Sequence, residues 1–130
     1  MVNTDYKFSE LTSQIIGSAM EVHRFLGNGF QEVIYQRSLS YEFDLRNINH
    51  AREVNMEVIY KDKHVGTRRV DFLVDDCICV EIKATKILEN RHLAQAINYL
   101  EAYNLEVGLL INFGNTSLKF HRLANKKFKS

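Results

Sequence analysis

A chain of 130 residues, 45% hydrophobic and 25% charged, can bury a core without disulfides, and its formal net charge of +1 exerts no global pull on polyanions or membranes. Any nucleic-acid binding must come from a local patch. No apolar run approaches the ~20 residues that span a bilayer, there is no signal-peptide core, and Cys77 and Cys79 sit on one strand face in poor geometry for a disulfide. The expectation is a cytoplasmic protein with reduced thiols. It would be one domain over 1–130, with its core at about 8–123 and a basic tail at 124–130.

The spacing predicts a first helix that Ser9 caps and that stops at Gly27, with Leu11, Ile15, Ala19, Val22 and Leu26 three and four residues apart. Gly27-Asn28-Gly29 ends it as a turn, since it lacks both the preceding strand of a dinucleotide fingerprint and the Gly-Lys-Ser/Thr of a phosphate loop. A second helix spans 31–46, with Ile34, Leu39, Phe43 and Leu45 apolar and Asn47 closing it. Residues 52–60 alternate as a half-buried strand. Lys61-Asp62-Lys63 turns the chain into a strand ending at Val74, and a third strand covers 77–83. A helix over 88–103 points Leu93, Ile97 and Leu100 inward. The apolar run 106–113 reads as a strand buried on both faces, of the kind found centrally in helix-covered sheets. A weaker strand over 117–123 turns Leu118 and Phe120 inward, and 126–129 frays. Asn115-Thr116-Ser117 is a turn, and His23 and His50 read as surface or capping residues. The sum is an α/β fold: a mixed sheet of about five strands, an antiparallel three-strand meander plus a central buried strand, flanked by helices.

The second and third strands carry charge where a core strand should not. A two-residue turn between them would set Asp71 against Val80. A three-residue connection pairs Val74 with Ile78, which places Asp71 across from Glu81 and Arg69 across from Lys83. That register also gathers Val70, Phe72, Val74, Ile78, Val80 and Ile82 on one apolar face, so it is the one expected.

Two facing carboxylates and the Ile82 carbonyl form a hard-oxygen site suited to Mg²⁺, and Lys83 beside them would orient or deprotonate a bound water. The same residues would also make a plain cross-strand salt bridge worth under ~1 kcal/mol. His92, Gln95 and Tyr99 share one face of the following helix, where Gln95 and Tyr99 could hold a phosphate or simply form an amphipathic flank. Glu32 is either a third acid for the metal or a first-turn acid complementing the helix dipole. Arg68, Arg69, Lys86 and Arg91 flank the site in sequence as a modest phosphate-contacting patch. Cys77-x-Cys79 has no partner pair for zinc.

Asp71, then Glu81-Ile82-Lys83, then Gln95-x-x-x-Tyr99, resembles the PD-(D/E)XK nuclease superfamily, in particular its RecB-like branch with a restriction-endonuclease-like core. More narrowly, Gly29-Phe30-Gln31-Glu32-Val33-Ile34-Tyr35 looks like the signature of the GxxExxY family. Val22-His23-Arg24-Phe25-Leu26-Gly27 and Gly108-Leu109-Leu110-Ile111-Asn112-Phe113 look like it too, and the resemblance covers about residues 8–123. Val70 stands before Asp71 where the superfamily name has proline. The resemblance implies Asp71 and Glu81 as metal ligands, Lys83 as the catalytic lysine, Glu32 as an accessory acid, and Gln95 and Tyr99 as supporting residues. The expected function is a Mg²⁺- or Mn²⁺-dependent nuclease acting on DNA, less readily RNA, with a homodimer or protein partner to supply further binding surface and no membrane association. The competing reading is a catalytically silent module of the same fold that binds nucleic acid or protein, which near-neutral charge favours. A small-molecule enzyme built on the Gly-rich turn has little support.

Overall fold

Two helices lead into the sheet: α1 (Ser9–Leu26) and α2 (Glu32–Leu45), followed by β1 (His50–Tyr60), β2 (Lys63–Val74) and β3 (Ile78–Lys83). A third helix, α3 (Asn90–Ala102), crosses to β4 (Val107–Asn112), and β5 (Lys119–Ala124) ends the order. The computed structural model describes residues 8–130, so the first seven residues of the expected domain lie outside the described residues. The strands lie side by side as β1-β2-β3-β4-β5. β3 and β4 are parallel, as a helical crossover requires, and the other neighbours are antiparallel.

All six residues of β4 are buried, because one sheet face carries the α1–α2 core and the other the α3 core. On the first side Ile15, Ala19, Val22, Tyr35, Leu39 and Phe43 pack onto Phe72, Val74, Ile78, Val80 and Ile82. On the second, Ala96 and Leu100 pack onto Val70, Cys79, Leu110 and Leu123.

The three-residue connection forms as expected: Val74 pairs with Ile78, Cys77 N–H donates to the Val74 carbonyl, and Asp75 and Asp76 turn through left-handed conformations. The ladder then runs through Leu73–Cys79 to Phe72–Val80. Beyond it the expectation needs correcting. Val70 packs on the α3 side, opposite to Phe72, so the apolar face is not continuous through Val70. The change coincides with an irregular point in the hairpin: Glu53 adopts φ 56°, and Glu53 and Asp71 are skipped between the Arg52–Phe72 and Val54–Val70 pairs, in a register that shifts at Val58/Ile59. The β2–β3 ladder ends at Phe72–Val80, which leaves a fork between the two strands.

Other expectations also shift. Ser9 does not cap α1: Phe8, at φ 62°, precedes the helix with no side-chain cap, and the Ser9 carbonyl accepts from Thr12 Oγ1. Leu45 is exposed, whereas Tyr35 and Gln36 are buried, so the inward stripe of α2 is Tyr35, Leu39 and Phe43. Phe120 points outward, because β5 buries only Leu123, although Leu118 does rest against the first core. His23 is buried and donates to the Asn115 carbonyl at 2.8 Å, and the buried ring of His50 bonds Ile48 O and Ser40 Oγ. The tail is held, not frayed: Asn104 bonds the Lys129 backbone through both amide atoms, and Lys127 pairs with Glu101 at 3.8 Å.

The end of β4 is stapled to the loop after β3. Buried Asn112 accepts from the amides of Thr85 and Gly114 and donates to the Thr85 carbonyl. Gly114 lies so close that a Cβ there would sit 2.3 Å from the Thr85 backbone. Gly114→Ala is therefore expected to lower stability by about 2 kcal/mol or more, read as a reduced urea midpoint at unchanged slope.

Candidate active site

The fork between β2 and β3 is filled by a side chain. Asp71 Oδ2 accepts the Ile82 amide at 2.8 Å, in place of a strand partner, while Oδ1 accepts from Gln36 Nε2 of α2 at 2.8 Å. Both oxygens are thus held, and a carboxylate bonded this way is fixed in direction. Sequence reasoning missed Gln36. Its signal was available, since Glu32-x-x-x-Gln36 puts both side chains on one face of α2.

Glu81 and Lys83 alternate with the buried Val80 and Ile82 and so project from the other face of β3. Glu81 Oε1 is buried without a hydrogen-bond partner. Burial, reinforced by the charge of Asp71 and opposed by Lys83, pushes its carboxyl up to about 8. Glu32 at the start of α2 is raised less, first by partial burial, with Lys83 opposing and Asp71 adding. Lys83 thus acts electrostatically on both acids.

These groups line one polar cavity of about 210 Å³, formed by Glu32, Asp71, Glu81, Lys83, Gln95 and Tyr99 with Arg68, Arg69, His92, Ala96 and Leu110. Lys86 and Arg91 lie outside it. Arg91 is exposed and bonded to Glu89, two residues away at the start of α3. Arg69 reaches the cavity while pairing with Glu53 at 3.6 Å. Arg68 sets its guanidinium over the Tyr99 ring, 4.6 Å from the centroid. His92, on the face shared with Gln95 and Tyr99, accepts the Glu89 amide on Nδ1, which leaves Nε2–H as the donor of the neutral ring.

The position of Glu32 is set from below. Tyr35 donates to the Gly27 carbonyl and accepts the Phe30 amide, clasping the Gly27–Phe30 turn, while its ring stacks on Phe113 at 4.6 Å. Phe113 also meets the His23 ring and is hydrogen-bonded to the Lys83 carbonyl. One aromatic stack therefore ties the turn before Glu32 to the backbone of Lys83.

Among the described residues, no three His, Cys, Asp or Glu side chains are grouped as a metal cluster. Two carboxylates do stand together, one with an unpartnered buried oxygen. That donor set fits a small hard cation, which needs only one or two carboxylates and fills its remaining positions with water and phosphate. No helix among the described residues is long and apolar enough to cross a membrane.

Comparison with curated proteins gives no match. Among solved structures, the fold is similar to that described as "Crystal structure of SSO0001", with a TM-score of 0.58 and 19% identity. The match covers 94% of this chain and 61% of that one, so the chain spans about three-fifths of that protein's length and shares its fold. The sheet order with its flanking helices, this likeness and the family match below together give the restriction-endonuclease-like α/β arrangement. The PD-(D/E)XK nuclease superfamily profile matches residues 9–123, from the first turn of α1 into β5. Members of that superfamily generally work with a divalent cation. The chain belongs to the PD-(D/E)XK nuclease superfamily.

Proposed function

We propose that this protein is a Mg²⁺- or Mn²⁺-dependent nuclease that hydrolyses phosphodiester bonds of DNA, of the RecB-like branch and the GxxExxY family. The observation that carries this reading is the buried, unpartnered Oε1 of Glu81, set beside a doubly anchored Asp71 in a cavity that also holds Lys83. A structural salt bridge would leave no such oxygen bare. Asp71, Glu81 and the Ile82 carbonyl would hold the ion, with Glu32 as a further acid. When bound, it supplies Lewis-acid polarisation of the phosphoryl group and a water of lowered pKa.

The chain's own groups do the rest. Lys83 orients the attacking water and offsets the negative charge that builds on the phosphoryl oxygens. Glu32, with its raised proton affinity, suits the acceptor of that water's proton. Gln95, Tyr99 and His92 Nε2–H donate to the phosphate, and Arg68 and Arg69 hold the strand on the cavity rim. Attack in line forms the new P–O bond as the bond to the leaving sugar oxygen breaks.

The competing reading, a silent binding module, is favoured by the absence of a three-residue ligand cluster among the described residues and by the net charge of +1. Calorimetric titration with Mn²⁺ separates the two. Wild type is expected to bind one ion and Glu81→Ala none. Binding retained in Glu81→Ala would remove the site, and no binding to wild type would favour the module. Assays on single-stranded, duplex and branched DNA, with Lys83→Ala as control, then test hydrolysis.

A further inference from the structure

A second cavity of about 370 Å³ opens beside the first, between the β1–β2 hairpin and the outer face of α3. Arg68, Gln95 and Tyr99 line both, so the stacked Arg68–Tyr99 pair is the partition between them. Beyond the partition the chemistry changes. The first cavity is lined by acids and a lysine, whereas among the described residues the second has no carboxylate. Its walls are the apolar Val58, Val65 and Ala102, the ring of Tyr103, and the neutral hydrogen-bonding groups of Thr67 and Asn98. Tyr103 Oη is shielded from solvent and has no partner. Gly66 on the hairpin has nothing within 4 Å of a Cβ position, so this wall stays open.

Apolar and aromatic sides with neutral donors and acceptors suit a flat heteroaromatic ring, and the volume exceeds what one nucleobase needs. Placement adds to this. A ligand here lies one partition away from the phosphate site, and Arg68, which lines both cavities, can contact the linking phosphate.

We propose that this second cavity is a nucleobase pocket that receives one unpaired base of the strand whose phosphate enters the neighbouring cavity. The inference rests on the nuclease reading for the identity of that strand. A base inside a duplex reaches such a pocket only after unpairing and unstacking, so the protein discriminates in favour of single-stranded segments, flaps or frayed ends. The hairpin is then a substrate-binding arm as well as an extension of the sheet.

The test is binding to a fluorescent single-stranded DNA oligonucleotide by anisotropy in EDTA, where no hydrolysis occurs. Abasic residues are placed at each position in turn, and a blunt duplex serves for comparison. In wild type, one abasic position should weaken binding about tenfold, the loss of one base–aromatic contact, and the duplex should bind at least about tenfold more weakly. Ala102→Phe fills the pocket from an exposed helix position and should abolish the abasic penalty. Tyr103→Phe, which only removes the hydroxyl, should reduce it, and thermal melting of both variants reports folding. Penalties below about twofold at every position, the same penalty in Ala102→Phe, tighter duplex binding, or no binding would each overturn the pocket. Hydrolysis of the same strand with Mn²⁺ is scored separately. Cleavage without a base-dependent position removes the pocket and leaves the nuclease, whereas a base-dependent position without cleavage does the reverse.

Discussion

Lys83→Met should lower single-turnover DNA hydrolysis by roughly 10²–10⁴-fold, the range for losing a positioned charged group in the transition state, while Mn²⁺ still binds. The expectation follows from what the residue does and does not hold together. Its main chain is structural: Lys83 pairs with Asn112 across β3–β4, and its carbonyl accepts the Phe113 amide. Methionine keeps those bonds and the aliphatic stem, so folding should survive. The ammonium is different. It faces Glu81 and Glu32 and shifts both, as a charge inside the cavity must. Removing it strips the cavity of its lysine and leaves two acids with less to oppose them. The loss should sit in the hydrolytic rate, with the concentration dependence on DNA changed little, because Arg68 and Arg69 remain on the rim. A variant that hydrolyses DNA within about threefold of wild type would show that the lysine is a bystander and the catalytic assignment mistaken.

How much of this was readable in the sequence depends on how local the signal was. The Val74–Ile78 register was legible because alternation and turn length both demanded it. The crossing of Val70 was not, because it goes with a left-handed Glu53 on the neighbouring strand, and nothing in Arg52-Glu53-Val54 marks that residue as leaving the β region. Asp71 and Glu81 do stand together, yet by a different route from simple cross-strand pairing, since Asp71 reaches sideways to the Ile82 amide. Gln36 and the burial of Tyr35 escaped because α2 has a weak apolar stripe, and its inner face is decided by partners on other elements, Asp71 and Phe113. Lys86 and Arg91 flank the site in sequence, but the cavity draws its cations from β2 and β3. The segments of the GxxExxY resemblance lie far apart in the chain and meet in space, where Tyr35 stacks on Phe113 and the His23 ring packs against Phe113 at a tilt. They read as the scaffold that aims the acids, which explains why their pattern is visible even where no chemistry sits on them.

Glu81→Gln should stabilise the metal-free protein at alkaline pH while abolishing its response to Mn²⁺. The folded carboxyl is held at about 8, well above the ~4.5 of an unfolded chain, because burial disfavours the charged form. The unfolded state therefore releases its proton first as pH rises. The sign follows: the stability present below about pH 4.5 is lost progressively towards pH 8, at up to about 1.4 kcal/mol per pH unit, and levels off above it. Glutamine has no proton to lose, so the variant should lack this slope and exceed wild type at pH 8–9 by an amount of order a few kcal/mol. Urea denaturation in EDTA at pH 5, 7 and 9 reads the difference directly. Adding Mn²⁺ should raise the wild-type midpoint most at high pH, since the ion competes with the proton for the same oxygen, and should leave Glu81→Gln unmoved. Such a reversal would mark Glu81 as a residue held at the expense of folding for what it binds. Equal stability of both proteins across the pH range would mean that the carboxyl is solvated, and with its bare oxygen gone the metal site would lose its main support.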